Sequence, residues 1–395
     1  MAMTQEEIKK MPKLGFGMMR LPRRADGKTI DVEETKEMVD LFMKAGLKYF
    51  DTAYVYDGGE SEKVTGEALV KRYPRDSYYL ATKLNAGIPS VHDVESARQQ
   101  FFTSLDRTGA GYFDFYLLHA LQTGNYKKYD EYKVWEFAKE LKEKGLIRHY
   151  GFSFHAGPGL LDELLTKHPD VDFIQLQINY IDMENPNVES RANMEVARKH
   201  GIPVTIMEPI KGGSLARLVP DAEKVLKRIR PDMSIASWAL RFAASQENSL
   251  VVLSGMSNIE QMKDNLSYMA DFKPLDDKEM EAIDEVVKIL NSTETIACTK
   301  CHYCTDGCPV NMPIPDIFEA ENLVLRDNKS VFDAKKEYDR IVTESGVKAS
   351  ECIECGQCES ACPQHLPIIK LLKDGADMFE WNDDENKRIK KLDIW

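Results

Sequence analysis

Residues 113–153 read FDFYLLHALQTGNYKKYDEYKVWEFAKELKEKGLIRHYGFS, and the reading of this stretch decides the fold. It opens on an apolar, β-rich run at Phe113–Leu118 and closes on another at His149–Ser153. Between them, Tyr129–Lys144 carries apolar residues at helical period. A strand, a helix and a strand with no hairpin turn predict two parallel neighbours joined by a crossover. The same alternation extends in both directions. Strand-like runs at Lys13–Arg20, Lys48–Asp51, Tyr78–Thr82, Phe173–Gln177, Val204–Met207 and Leu250–Ser254 bring the number to eight. Helical stretches lie at Val32–Ala45, Val91–Leu105, Leu160–Lys167 and Ile235–Ala244. Eight such units in about 275 residues fit an α/β fold of the (β/α)8 TIM-barrel type, which typically needs about 250. A doubly wound open sheet is the alternative, but no G-x-G-x-x-G follows the first strand.

The chain has 395 residues, 43% hydrophobic and 30% charged, an ordinary balance for a folded globular protein. Against 52 Lys and Arg stand 65 Asp and Glu, a net charge of −13. Such a chain is a poor binder of nucleic acid or anionic membrane by charge, so neither is expected as a partner. No run approaches the roughly 18 apolar residues of a membrane span. The first residues, MAMTQEEIKKMPKL, lack the apolar core of a signal peptide. A cytoplasmic location is therefore expected. The texture changes near Pro274: a helix is predicted over Asp277–Leu290, then a cysteine-rich region with helical stretches around Ile314–Leu325 and Val331–Thr343. The predicted organisation is a barrel over 1–285, a mainly α-helical ferredoxin-like domain over 286–376 and a charged tail over 377–395.

All eight cysteines fall between Cys298 and Cys362. Under reducing conditions, clustered cysteines more often bind metal than pair as disulfides. They form two copies of one motif. The first is Cys298-x2-Cys301-x2-Cys304-x3-Cys308-Pro309, the second Cys352-x2-Cys355-x2-Cys358-x3-Cys362-Pro363. Thiolates at i, i+3 and i+6 wrap three corners of an iron–sulfur cube, and the fourth cysteine reaches the other cluster. The expected ligand sets of two [4Fe-4S] clusters are therefore crossed: Cys298, Cys301, Cys304 and Cys362 for one, Cys352, Cys355, Cys358 and Cys308 for the other. Two zinc sites are the alternative use of such pairs. The long, helical stretch between the motifs resembles the two-cluster α-helical ferredoxin domains of large oxidoreductase complexes.

Four polar residues interrupt the apolar barrel strands at their C-terminal ends, where barrels carry their chemistry. Asp51 ends the second strand and Tyr56 follows it in Asp51-Thr-Ala-x-x-Tyr56; Lys83 ends the third in Ala81-Thr-Lys83; His119 ends the fourth in Tyr116-Leu-Leu-His119. A tyrosine phenol has a pKa near 10, too high for easy proton donation at neutral pH, and a neighbouring ammonium lowers it. This pattern over the first 270 or so residues resembles the aldo-keto reductases. The resemblance implies a carbonyl–alcohol oxidoreductase with Tyr56 as general acid, supported by Asp51, Lys83 and His119. His155 and His365 fall outside the pattern and read as structural.

The resemblance also implies a nicotinamide cofactor, NAD(P)H, across the barrel mouth. Ser153 and Gln175 match the residues that hold its carboxamide, and Asn265 a residue that contacts adenine. Two positions depart from the family: Phe154 stands where it has asparagine, and Met207 where it has a ring-stacking aromatic. No Lys or Arg occupies the loop positions that would bind a 2′-phosphate. Loops after the last two strands often bind phosphate in barrels. Lys211 and Gly212, and Ser254, Gly255, Met256 and Ser257, suit a dinucleotide pyrophosphate or a flavin phosphate. A hydride carries two electrons and a cluster one, so FMN in the barrel is the alternative cofactor, acting on a non-carbonyl acceptor. A third reading is a nicotinamide-dependent reductase whose clusters are structural or redox-sensing. The expected partners are a small-molecule substrate and an external ferredoxin or other redox protein.

Overall fold

The computed structural model describes residues 10–327 and 329–381. Eight parallel strands close into a barrel in chain order: β1 (Leu14–Gly17), β2 (Tyr49–Asp51), β3 (Tyr79–Leu84), β4 (Phe113–Leu121), β5 (Ile147–Phe154), β6 (Phe173–Gln177), β7 (Val204–Met207) and β8 (Ser249–Ser254). Closure is made by β1 on β8, with Phe16 opposite Ser254. The register puts Gly17 beside Asp51, Asp51 beside Ala81 and Lys83 beside Leu117. Inward-facing Tyr49, Phe115 and Phe173 fill the barrel with Leu117, Val251 and Leu253. The Phe115 ring lies 5.0 Å from Tyr49 and 5.2 Å from Phe173. The interior is thus packed rather than open, and the polar strand ends are left for chemistry.

The helices are α1 (Val32–Lys44), α2 (Glu60–Thr65), α3 (Val94–Thr108), α4 (Tyr126–Glu131), α5 (Val134–Glu143), α6 (Pro158–Lys167), α7 (Ser190–Lys199), α8 (Pro220–Ile229), α9 (Ile235–Ala244), α10 (Ile259–Met269) and α11 (Asp277–Asn291). Their starts follow capping chemistry: Asp31 accepts from Glu33 and Glu34 N–H, Asp93 and Ser96 form a capping box, and Pro158 and Pro220 occupy first turns. Two expectations change. The run Lys13–Arg20 is a strand only to Gly17, because Met18–Arg20 tightens into a 3-10 turn whose Met18 carbonyl accepts from the Ser61 hydroxyl. The single helix expected over Tyr129–Lys144 is two, α4 and α5. Lys133 takes a left-handed conformation with φ 53° between them, which turns buried Tyr129 toward the strands.

The chain divides into two compact units. One runs through Ile210 and resumes over Asp232–Met280; the other comprises Lys211–Pro231 and the chain from Glu281 onward. The excursion after β7, including α8, therefore groups with the cysteine-rich region. In that unit α12 (Ile314–Leu325), α13 (Val331–Ser345), α14 (Gln357–Ala361) and α15 (Ile368–Phe379) surround a core of Met312, Ile317, Phe318, Tyr338 and Phe379. The charged tail expected from residue 377 overlaps α15 as far as Phe379; residues 382–395 lie outside the described ones. No helix among the described residues is long and apolar enough to cross a membrane.

The cysteine unit contains an internal repeat longer than its motifs. An offset of 54 residues takes Cys298 to Cys352 and also Ile314, the start of α12, to Ile368, the start of α15. Left-handed residues recur at the same offset: Lys300 and Glu354, His302 and Gly356, Asn311 and His365. Two copies of one loop-and-helix unit face each other, and this pseudo-symmetry is why the fourth cysteine of each reaches the other's set.

Candidate active site

The first unit gathers Asp51, Tyr56, Lys83 and His119 into one network. Lys83 is fully buried and donates from Nζ to Asp51 Oδ1 at 2.5 Å, to the Thr52 carbonyl at 2.7 Å and to the Tyr56 hydroxyl at 3.1 Å. The Tyr56 and His119 rings meet edge to face, centroids 5.6 Å apart. Burial raises the Asp51 carboxyl and lowers the Lys83 ammonium, and each charge opposes the shift of the other. Burial first, then the Lys83 charge, holds His119 well below the ordinary imidazole pKa. His119 is therefore a neutral imidazole at pH 7.

Local backbone explains how these groups are aimed. Tyr56 opens a turn in which Asp57, Gly58 and Gly59 are all left-handed. Gly59 has φ +94°, a conformation that favours glycine, and the Arg107 guanidinium packs against its Cα. Arg107 reaches past it to the Tyr54 carbonyl and to Glu62. Asp57 is pinned by Arg23 at 2.5 Å. His119 sits beside a bulge in β4, where the register shifts between Leu118 and Leu121 and Ala120 has φ 57°. The Ser153 hydroxyl accepts the Ala120 N–H at 2.7 Å, and the Tyr129 hydroxyl donates to the His119 carbonyl.

The other expected cofactor contacts are dispersed. Gln175, on β6, lies beside Asp51 and lowers its pKa. It does so through a hydrogen bond from its buried amide to the Asp51 carboxylate. Met207 ends β7 and is half-buried. In the β8 loop, Ser254 donates to Asn265 Oδ1 at 2.6 Å, and Asn265 donates to the Tyr268 hydroxyl at 3.0 Å, so both side chains are engaged internally. Gly255 is exposed, Met256 buried, and the Ser257 N–H is taken by Gln261. Lys211 and Gly212 belong to the second unit: Lys211 Nζ approaches Gln364 Oε1 at 3.4 Å, and Gly212 packs on Thr299.

Sequence reasoning missed Glu62. This fully buried carboxylate pairs with Arg107 at 3.0 Å, accepts from Thr82 at 2.7 Å and favours the charged form of Lys83. Its one signal is an acidic residue at a core-facing position of α2.

In the second unit, Cys298, Cys301, Cys304 and Cys362 line one cavity of about 320 Å3, and Cys308, Cys352, Cys355 and Cys358 another of about 330 Å3. Each cavity is lined by four thiols, a donor set that fits an iron–sulfur cluster. Backbone N–H groups of Lys300 and Met312 point at Cys298 and Cys308 sulfurs, each at 3.4 Å, as cluster sulfurs require. Burial and neighbouring thiols push up Cys304, and burial pushes Cys358 up to about 11. Such thiols ionise together only when a cationic group binds them.

Comparison with known proteins agrees with this geometry. A model of the Aldo/keto reductase family matches residues 13–288, and a 4Fe-4S dicluster domain matches residues 297–366. The uncharacterized oxidoreductase YqkF of Bacillus subtilis is 26% identical over 66% of this chain and 90% of its own. The 9,11-endoperoxide prostaglandin H2 reductase of Trypanosoma cruzi is 27% identical over 70% and 88%. A solved aldo-keto reductase from Bacillus halodurans superposes with a TM-score of 0.56, at 26% identity, over 69% of this chain and 91% of that one. The chain belongs to the aldo/keto reductase family of oxidoreductases, with a 4Fe-4S domain C-terminal to its barrel.

Proposed function

We propose that the barrel interconverts a small carbonyl compound and its alcohol, with Tyr56 as general acid. The observation that carries this reading is the Lys83 ammonium, within hydrogen-bond reach of both Asp51 and the Tyr56 hydroxyl. Donation from Lys83 stabilises the phenolate that remains once Tyr56 has protonated the substrate oxygen. Burial weakens the hold of Lys83 on its own proton, so it can restore the tyrosine. Asp51 keeps that ammonium in place. Neutral His119 donates an N–H toward the same oxygen and orients the carbonyl.

Reduction adds two electrons and two protons to the carbonyl; NADH or NADPH supplies the hydride when bound. Gln175, buried beside Asp51, carries an amide suited to a carboxamide, and Ser153, Met207, Ser254, Gly255, Met256 and Ser257 lie at the strand ends where the remainder would be held. The crossed cysteine sets are read as ligands of two [4Fe-4S] clusters, whose two electrons together match one such reduction. Their source or sink is an external ferredoxin or similar redox protein. The surroundings are cytoplasmic, with neither nucleic acid nor membrane as partner.

A second reading places FMN in the barrel on a non-carbonyl acceptor. Two observations favour it: Met207 in place of a stacking aromatic, and Asn265 engaged internally. Anaerobic purification with iron, sulfide and acid-released flavin counts separates the two. Assays on small aldehydes and ketones with NADPH, NADH or a reduced viologen dye then test the chemistry. Tyr56→Phe should lower carbonyl reduction at least about 100-fold; an unchanged rate discards the role of Tyr56. A nicotinamide-driven rate that survives cluster removal makes the clusters structural or redox-sensing.

A further inference from the structure

The repeat in the second unit makes its two cysteine cavities near copies, so the positions where they differ are informative. At the 54-residue offset, Thr299 corresponds to Ile353, and Gln364 to Val310. Thr299 and Gln364 line the cavity of Cys298, Cys301, Cys304 and Cys362; Ile353 and Val310 line the other. In the apolar pair Ile353 is 58% exposed and Val310 is half-buried. The polar pair is buried, and both of its members meet the segment that follows β7.

That contact is built closely. A Cβ on Gly212 would lie 2.4 Å from the Thr299 carbonyl oxygen, and its φ of +64° is one that other residues rarely adopt. Lys211 beside it is itself left-handed at φ 47°. For a lysine this conformation is strained, and it persists only where the surroundings impose it. The result is a lysine only 6% exposed, its Nζ 3.4 Å from Gln364 Oε1, one side chain behind the cavity wall. Lys300, on the cysteine loop, pairs with Glu319 at 3.3 Å.

We infer that Lys211 tunes the reduction potential of the cluster held by Cys298, Cys301, Cys304 and Cys362 and leaves the other unchanged. This rests on the reading of the cysteines as two cluster sites. Reduction adds one electron, hence one negative charge, to a group already carrying four thiolates. A buried ammonium stabilises that charge, because low dielectric leaves it little screened. Net charge and hydrogen bonding around the sulfurs are the protein's means of setting such potentials. Lys211 is a positioning residue in this sense: it acts through the wall formed by Gln364 and Thr299.

The test is a potentiometric titration of the anaerobically purified full chain, followed by low-temperature EPR. Lys211→Met should move one of the two reduction steps to lower potential by at least a tenfold change in its equilibrium constant, 59 mV for one electron. The second step should stay in place, and Lys211→Arg should restore most of the shift. Unmoved steps in Lys211→Met, or two steps that move equally, overturn the inference. Equal shifts in the Met and Arg variants also overturn it, since they show packing rather than charge. A wild-type chain without iron and sulfide for two clusters overturns the underlying reading instead, a result distinguishable from unshifted potentials.

Discussion

Removing the charge of Lys83 should destabilise the barrel in a way that depends on pH. In Lys83→Met the Asp51 carboxyl, 2% exposed, loses its 2.5 Å partner and keeps only the neighbouring Gln175. Breaking a buried pair from one side typically costs about 3–5 kcal/mol, because the remaining charge stays desolvated. Asp51 has an escape, which is to bind a proton. From the ordinary value of 3.8, protonation costs about 4 kcal/mol at pH 7 and about 1.6 kcal/mol at pH 5, at 1.36 kcal/mol per pH unit. The penalty therefore has a ceiling that falls as pH falls. The sign agrees with linkage: a folded-state pKa raised above the unfolded one gives stability that is lost as pH rises. Lys83→Met should melt roughly 8–16 °C below wild type at pH 7 and only a few degrees below at pH 5, at about 2–4 °C per kcal/mol for a domain of this size. Asp51→Asn in the Lys83→Met background should abolish the pH dependence. The measurement is anaerobic thermal unfolding followed by circular dichroism across pH 5–7. Equal destabilisation of Lys83→Met at both ends would refute the assignment of the cost to a stranded Asp51 carboxylate.

Three further outcomes follow. Burial pushes Glu321 up to about 8, so the second unit should lose stability as pH rises from about 4.5 to 8; Glu321→Gln should flatten that fall in anaerobic melting curves. His119 stays neutral, so kcat/KM for carbonyl reduction should show no inflection near pH 6.5 that disappears in His119→Gln. Gly212→Ala should cost at least about 1–3 kcal/mol, since it adds both strain and a backbone clash; melting temperature and iron content should fall together.

The readable parts of this protein are those where the chemistry and the position coincide. Asp51, Lys83 and His119 stand out because each is a polar residue at the end of an apolar strand, and a closed parallel barrel puts all strand ends on one rim. The crossed cysteine sets are readable because the ligand spacing fixes which thiols reach which cavity. What was not readable depends on partners distant in sequence. That the Ser153 oxygen accepts the N–H of a β-bulge is revealed only by the paired strands. Glu62 gives no local hint that Arg107 will reach it past a glycine turn. The division of one expected helix at Lys133 is a tertiary effect, set by where Tyr129 is anchored.

Lys211-Gly212-Gly213 shows the same limit most sharply, because its local signal is correct and its meaning is not local. Two left-handed glycines after a barrel strand do make a tight, backbone-exposing turn, which is why the stretch reads as a phosphate loop. The turn also approaches the carbonyl of Thr299. A lysine whose charge suits a phosphate is buried against the wall of a four-thiol cavity. The electrostatic demand is the same in both settings, an anion in need of a nearby cation, and composition cannot distinguish them. The distinction lies in the pairing of residue 211 with residue 364 across the cysteine unit. It is also what separates two otherwise repeated cysteine cavities, since the second presents Ile353 and Val310 at the equivalent positions.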